Sequence, residues 1–438
     1  MSFDVGSVQL RELSVRITKG TTPTKGEGFV ACGVNYIKSE SITADGSIDV
    51  SKFAFIDAET HDKLARSKLC AGNVLFSMAG VYLGKTAVVL PEHLPANTNQ
   101  AVGIVSLDES KADPYFIHYS LQSPACRAWV LRSAAQSAQP NFNLQEIGGL
   151  KIPAFPIARQ KEIASVLRAL DDRITLLRET NATLESIAQA LFKSWFVDFD
   201  PVHAKQQGRA PEGMDEATAV LFPDSFEESE LGLVPKGSRV SQLEDCCVRV
   251  ESGGTPKRTV PEYWNGDISW LTSGEVRSPI VFDTKEKITE LGVKESSAKL
   301  WPAGTTVIAM YGATAGEVCL LAKTTTANQA CCGLIPRSNF RAFLFMSARR
   351  ERQNLASKSS GSAQQNLNKG LVASHPVLLP SVDILARYED VAGALLDSWT
   401  ENERQAQTLA TLRDTLLPRL ISGQLRLPEA EALIEEIA

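Results

Sequence analysis

Four short phrases occur twice in this 438-residue chain, in the same order. Thr22-Pro23 in "TKGTTPTKG" is matched by Thr255-Pro256 in "ESGGTPKRT", and Gly80 and Gly84 in "SMAGVYLGK" by Gly312 and Gly316 in "AMYGATAGE". Asn99-Gln100-Ala101 is matched by Asn328-Gln329-Ala330, and "SAQPNFN" (137–143) by "SAQQNLN" (362–368). The offset between copies shrinks along the chain, from 233 to 232, 229 and 225. A duplicated domain that has lost a few loop residues looks this way, and such a repeat sets architecture before any local propensity does. The last phrase is rich in amides and hydroxyls, which compete for backbone hydrogen bonds and suit exposed loops.

After each copy of the last phrase comes an apolar, proline-marked strand, "LKIPAFPI" and "HPVLLPSV". The apolar period then changes from two to three-and-four. Ile163, Val166, Leu170, Ile174, Leu177, Leu184, Ala188 and Leu191 fall on one seam, interrupted by Asn181. Tyr388, Val391, Leu395, Asn402, Ala406, Leu409, Leu412 and Leu416 form the second. The spacing predicts helices over 158–197 and 382–422, each about 55–60 Å long at roughly 1.5 Å per residue. A single apolar stripe on so long a rod needs a partner, and the nearest is the other copy; packing of each rod on its own domain is the alternative.

The resulting order is an α/β domain (1–157), a helix (158–197), an acidic linker (198–238), a second α/β domain (239–381), a second helix (382–422) and an acidic tail (423–438). The fold class is therefore mixed α/β, built as a pseudo-twofold internal repeat, and 43% hydrophobic residues supply two or three separate cores. The net charge of -6 is unevenly spread: residues 198–230 hold nine acids against Lys205 and Arg209, and the tail holds four against Arg426. Setting these aside removes three of the 45 basic and thirteen of the 51 acidic residues, so the remainder is +4 and leaves room for basic surfaces.

The tools of an enzyme are missing. No phosphate-cradling glycine loop stands in a strand-to-helix setting, and there is no H-E-x-x-H or G-x-S-x-G. "DFDP" at 198–201 lacks the second proline and the aromatic of an amino-methyltransferase motif. The eight cysteines include no C-x-x-C, so buried free thiols are expected rather than a zinc site. The opening "MSFDVGSVQLRELSVRITKG" has charges where a signal peptide needs an apolar core, and no apolar run approaches the roughly 18 residues of a membrane span, so a soluble, cytoplasmic protein is expected.

"LESIAQALFKSWFVDFDPV" (184–202) and "LATLRDTLLPRLISGQLRL" (409–427), closing the two rods, resemble the two conserved regions of the specificity subunit of type I restriction-modification enzymes. The resemblance covers essentially the whole chain. It implies a non-catalytic chain with two target-recognition domains and two antiparallel helices forming a coiled-coil spacer. It also implies double-stranded DNA as ligand and two modification subunits as partners, which carry S-adenosylmethionine and methylate adenine at N6. Restriction subunits carrying ATP and Mg complete the implied complex; no cofactor, metal or membrane is expected on this chain. Two copies of one domain suggest half-sites about 34–36 Å apart, and the differences between the copies suggest a split, asymmetric target with an unread gap.

Lysine and arginine can hold phosphates or read guanine, while Asn and Gln can pair bidentately with adenine. The candidates in the first domain are Lys19, Thr22, Lys25, Lys38, Tyr82, Lys85, Asn99, Gln100, Arg132, Gln136, Gln139 and Asn141. In the second they are Lys257, Arg258, Trp264, Arg277, Tyr311, Thr314, Asn328, Gln329, Lys358, Gln364, Gln365 and Asn366. The shared glycines, Thr-Pro and Asn-Gln pairs have a second reading as scaffold, since domains that read different bases have no reason to share readers. Trp195, Phe196 and Trp399 are open to either partner docking or mutual packing. Three other functions stay open: a coiled-coil scaffold that binds no DNA, a self-contained restriction-methylation enzyme, and a specificity subunit whose methyltransferase has no restriction partner or is fused to the cutting subunit.

Overall fold

The computed structural model describes residues 5–24, 28–134, 141–358 and 367–436. It forms two compact units, Met1–Thr175 with Gln407–Ala438, and Leu176–Ala406. The main sheet of the first unit runs Ser14–Lys19, Val102–Leu107, Val74–Ser77, Thr86–Val88, antiparallel throughout. That of the second runs Cys247–Ser252, Cys331–Pro336, Thr306–Ala309, Val318–Leu321, with the parallel edge strand Ile280–Val281 added. Strand for strand, the two sheets sit at the offsets of the repeated phrases. The central strands Val74–Ser77 and Thr306–Ala309 are buried at every residue, which is why they read as apolar runs without alternation.

A smaller sheet accompanies each main one. It pairs Val34–Ile37 in parallel with Ala96–Thr98 in the first unit, and Trp264–Leu271 in parallel with Thr326–Ala327 in the second. A two-stranded ribbon, Ser7–Gln9 with Lys151–Pro153 or Arg239–Gln242 with Pro376–Leu379, then leads each domain into its helix.

The first long helix is unbroken over Ile157–Phe196. The second starts as Val382–Tyr388, passes through one π turn at Glu389–Gly393 and continues over Ala394–Ser422. Both lie within a residue of their predicted spans, but nothing in the apolar period announces the π turn. In the first unit the opening half of the first helix (Ile163, Leu167, Leu170) shares a core with the closing half of the second (Leu412, Leu416, Leu420). In the second unit the pairing is between Phe192, Trp195 and Phe196 and the opening turns Tyr388, Ala392 and Leu396. The first helix thus begins where the second ends, which is antiparallel pairing. Both cores also contain residues of the α/β domains, so each rod packs on its own domain as well as on the other rod.

Of the predicted seam, Ile163, Leu170, Ile174, Leu177, Ala188, Leu412 and Leu416 are buried, whereas Val166, Leu184, Leu191, Val391, Leu395 and Leu409 are half-buried. Beside three of the last group, Leu167, Ala392 and Leu396 are each fully buried. A helix that meets both a helix and a domain buries more than one stripe, so a single seam is displaced by one residue at those points. Trp195, Phe196 and Trp399 lie in the second unit's core, which settles them as packing residues.

The acidic stretch read as a linker carries two short helices, Asp200–Gln206 and Glu216–Leu221, and a hairpin, Phe226–Ser229 with Gly232–Pro235. Val202 and Phe222 are buried in the second unit's core, and Asp215 pairs with Arg387 at 2.9 Å. Its charges face outward while a few apolar residues hold it down, a division that composition averages away. The C-terminal tail likewise contains a helix, Leu427–Glu435. Five of the eight cysteines are buried and burial pushes their thiols up, Cys332 to about 12; Cys32 and Cys70 are exposed and Cys126 is half-buried.

Candidate nucleic-acid interface

The four repeated phrases meet at one edge of each domain, joined by equivalent backbone hydrogen bonds. In the first unit the N–H of Gly20 donates to Val102 O at 3.0 Å and that of Thr21 to Thr98 O at 3.0 Å, tying the Thr-Pro loop to the Asn-Gln turn. Met78 N donates to Ala101 O at 2.8 Å, adding the glycine loop, and Phe142 N to Met78 O at 2.8 Å, adding the last phrase. The second unit repeats the set: Gly253 N to Cys331 O at 3.0 Å, Gly254 N to Ala327 O at 2.8 Å, Met310 N to Ala330 O at 2.7 Å and Leu367 N to Met310 O at 3.0 Å. Segments about 120 residues apart in sequence are thereby one surface.

Side chains lock this frame from below. Asn99 Oδ1 accepts from Ala101 N at 3.2 Å, and Asn328 Oδ1 from Ala330 N at 3.1 Å; each Asn builds its own turn. A Cβ on Gly20 would stand 2.2 Å from Thr98 O, and one on Gly253 2.2 Å from Asn328 O, so only glycine lets the two loops close. Gly80 and Gly312 turn their loops at φ of 68° and 69°. Phe142 and Leu367 are fully buried anchors. The next residue but none, Asn143 or Asn368, caps a short helix by accepting from Glu146 N at 3.0 Å or Leu371 N at 3.0 Å. The polar phrase therefore recurs in part because it is an anchor followed by a cap.

A family model described as the type I restriction modification DNA specificity domain matches residues 4–186 and 235–395, one match to each copy of the repeat. The chain belongs to this family. It is a type I restriction-modification specificity subunit, a chain that recognises DNA sequence rather than one that catalyses. It is 27% identical over 329 residues to the HindI specificity subunit of Haemophilus influenzae, spanning 65% of this chain and 71% of that one. It is 22% identical over 341 residues to the MjaIX specificity subunit of Methanocaldococcus jannaschii, spanning 76% and 74%. The crystal structure of a type I restriction-modification S subunit from M. genitalium shares the fold, with a TM-score of 0.62 over 95% of this chain and 96% of that one at 15% identity.

On this edge of the specificity subunit's first domain, Lys19, Thr22, Gln100 and Asn141 are exposed, and Asn99, Tyr82 and Lys85 half-buried. Lys85 Nζ lies 4.9 Å from the Tyr82 ring centre, and Asn141 bridges to Ala79 beside the glycine loop. Lys38 follows the strand that pairs with Thr98 and forms an ion pair with Glu40 at 3.2 Å. Arg132, exposed, bonds back to Ala128 O at 3.2 Å on its own helix. Lys25, Gln136 and Gln139 lie outside the described residues.

On the second edge Lys257 and Gln329 are exposed, and Gln329 meets the hydroxyl of Thr255, joining the Asn-Gln and Thr-Pro motifs. Tyr311 is exposed, Asn328 is half-buried in its turn, and Arg277 is exposed after the strand Trp264–Leu271. Thr314 is 7% exposed and donates to Tyr311 O at 3.2 Å, which makes it part of the loop's interior. Arg258 stacks 3.8 Å from the Trp264 ring and 4.9 Å from Trp270, with both terminal nitrogens on Glu286. Its planar fork is occupied within the protein, so it stiffens the loop that presents Lys257. Gln364, Gln365, Asn366 and the side chain of Lys358 lie outside the described residues.

Two residues of the frame escape sequence reasoning. Tyr36 Oη donates to Thr21 O at 2.9 Å and Trp270 Nε1 to Gly254 O at 2.9 Å, so a buried aromatic in each unit holds the residue before Thr-Pro. They differ in type and stand 14 and 15 residues after their Thr-Pro motifs, so no shared phrase or spacing pairs them; the equivalent parallel strand pairs do. Among the described residues no helix is long and apolar enough to cross a membrane, and no group of three His, Cys, Asp or Glu side chains is placed to hold a metal.

Proposed function

We propose that each recognition edge reads one half of a split, asymmetric DNA target in the cytoplasm. Two modification subunits carrying S-adenosylmethionine assemble on this chain and methylate adenine at N6, and restriction subunits use ATP and Mg to translocate and cut. This chain binds double-stranded DNA and holds no cofactor. The observation that carries the reading is that one backbone frame occurs in both units with different exposed side chains on it. At the position where the first edge has Lys85, the second has Glu317, neutralised by Arg352 at 3.3 Å. The second instead offers Lys257, on a loop stiffened by the Arg258–Glu286 pair. A common frame supports docking in the same manner twice, and different side chains support different bases.

The test is co-expression of the full chain with its cognate modification subunit in a host lacking adenine methylation, followed by single-molecule mapping of N6-methyladenine. A split motif with one modified adenine in each half, on opposite strands, is the expected result. Lys85→Ala should weaken discrimination in one half and Lys257→Ala in the other if they touch bases, each by about 1–3 kcal/mol. If either holds a phosphate instead, binding should fall evenly and the salt slope should drop by about 1. An assembled, cofactor-loaded complex that methylates no defined motif would sink the reading and favour a scaffold role.

A further inference from the structure

The second recognition domain is seated on its long helix by a joint that the first lacks. Arg341 opens the buried domain helix Arg341–Arg350 and spends its whole guanidinium on the helix beside it. Nε donates to Glu389 Oε1 at 3.0 Å, Nη1 to Asp397 Oδ1 at 2.6 Å and Nη2 to the carbonyl of Gly393 at 3.1 Å. Glu389 in turn accepts from Ala342 N at 2.7 Å with its other oxygen, so a carboxylate from the long helix caps the domain helix, whose own preceding residue Phe340 makes no side-chain cap.

Glu389 and Gly393 are the two ends of the π turn. A π turn is one inserted residue in an α-helix, and it recurs where function fixes a local geometry. A Cβ on Gly393 would stand 2.8 Å from Glu389 Oε1 and 3.1 Å from Arg341 Nη2, so the turn keeps room for the clamp only with glycine there. In the first unit no arginine clamps the start of the domain helix: Gln160 of the unbroken helix accepts from Asp113 N at 3.0 Å and donates to Lys111 O at 2.9 Å, Asp113 caps its own helix, and the charged contact lies farther along, where Tyr119 donates to Asp171 at 2.6 Å.

We propose that Arg341 is a positioning residue that, through Glu389 and the π turn, fixes the orientation of the second recognition domain on its helix and so sets the allowed gap between the half-sites. This rests on the split-target reading above. It assigns no base contact to Arg341: the residue lies at the joint with the long helix and its nitrogens are all engaged there. Loosening it leaves the bases of each half unchanged and loosens only their spacing.

The experiment maps N6-methyladenine for the full chain with its modification subunit, comparing wild type, Arg341→Gln, Arg341→Lys and Glu389→Gln. Wild type should use one gap length. Arg341→Gln and Glu389→Gln should keep both half-motifs, while methylation at sites one base pair longer or shorter rises about tenfold, the scale of one lost charge-assisted hydrogen bond. Arg341→Lys, which keeps the charge but not the three-way fork, should fall between. An unchanged gap in both neutral variants, or altered bases in the second half, overturns the proposal. If Arg341→Gln does not assemble, Glu389→Gln decides on the same criteria. Absence of any split motif in wild type overturns the functional reading itself, and this inference with it.

Discussion

At the scale of single residues, the repeated letters turn out to be mostly frame. Gly20 and Gly253 exist because a side chain there would strike a carbonyl across the loop junction, so Gly253→Ala should abolish recognition of the second half-site while leaving the first domain folded. Amide exchange in the two domains of that variant, read beside its methylation map, checks this. His118 carries a different prediction. It is 5% exposed with Nδ1 2.9 Å from Thr86 Oγ1, and burial pushes its imidazole down to about 4. Below about pH 6.5 the unfolded chain takes a proton that the folded one refuses until about pH 4, so stability falls with pH across that window, by about 1.4 kcal/mol per unit. His118→Gln should flatten the loss, measured as protection of residues 114–122 at pH 7 and pH 5. Asn99, Asn328 and the phrase-closing asparagines were visible in the sequence, yet only their hydrogen bonds show that they build turns and caps.

At the scale of elements, the long helices were legible to within a residue because their period and their flanking prolines are local signals. What they bury was less so, since Leu167 and Leu396 answer to a domain as well as to a helix. Leu167→Ala should cost about 2–5 kcal/mol, the range for truncating a fully buried leucine, and Val166→Ala markedly less; thermal unfolding of the two variants compares them directly. Asn181 interrupts the seam at 5% exposure, and neither its Oδ1 nor its Nδ2 meets a partner among the described residues. A buried amide left unpaired costs about 1–3 kcal/mol, so Asn181→Leu should raise the melting temperature of the full chain, and a fall would mean that the amide has a partner in solution. The π turn could not be read, because Tyr388, Val391 and Leu395 keep the three-and-four spacing of an unbroken helix across it, and only the burial of Ala392 and Leu396 shows that the face has turned.

At the scale of the whole molecule, the net negative charge misleads, since the acids are gathered in a stretch held in the second unit's core by Val202 and Phe222 while its charges face water. Replacing 240–375 by the corresponding domain of another specificity subunit should change one half of the methylated motif and leave the other intact, a result read from the same methylation map. The sequence by itself determined the duplication, the two rods and the family, because repeats, periodicity and long phrases are properties of order along a chain. Only the tertiary structure decided that the four phrases form a single edge, that Arg258 is bound to Glu286 and Thr314 is inside, and that the two domains are seated by different chemistry. Those facts depend on which distant backbone groups meet, and hydrogen bonds between loops more than a hundred residues apart leave no local trace in the order of residues.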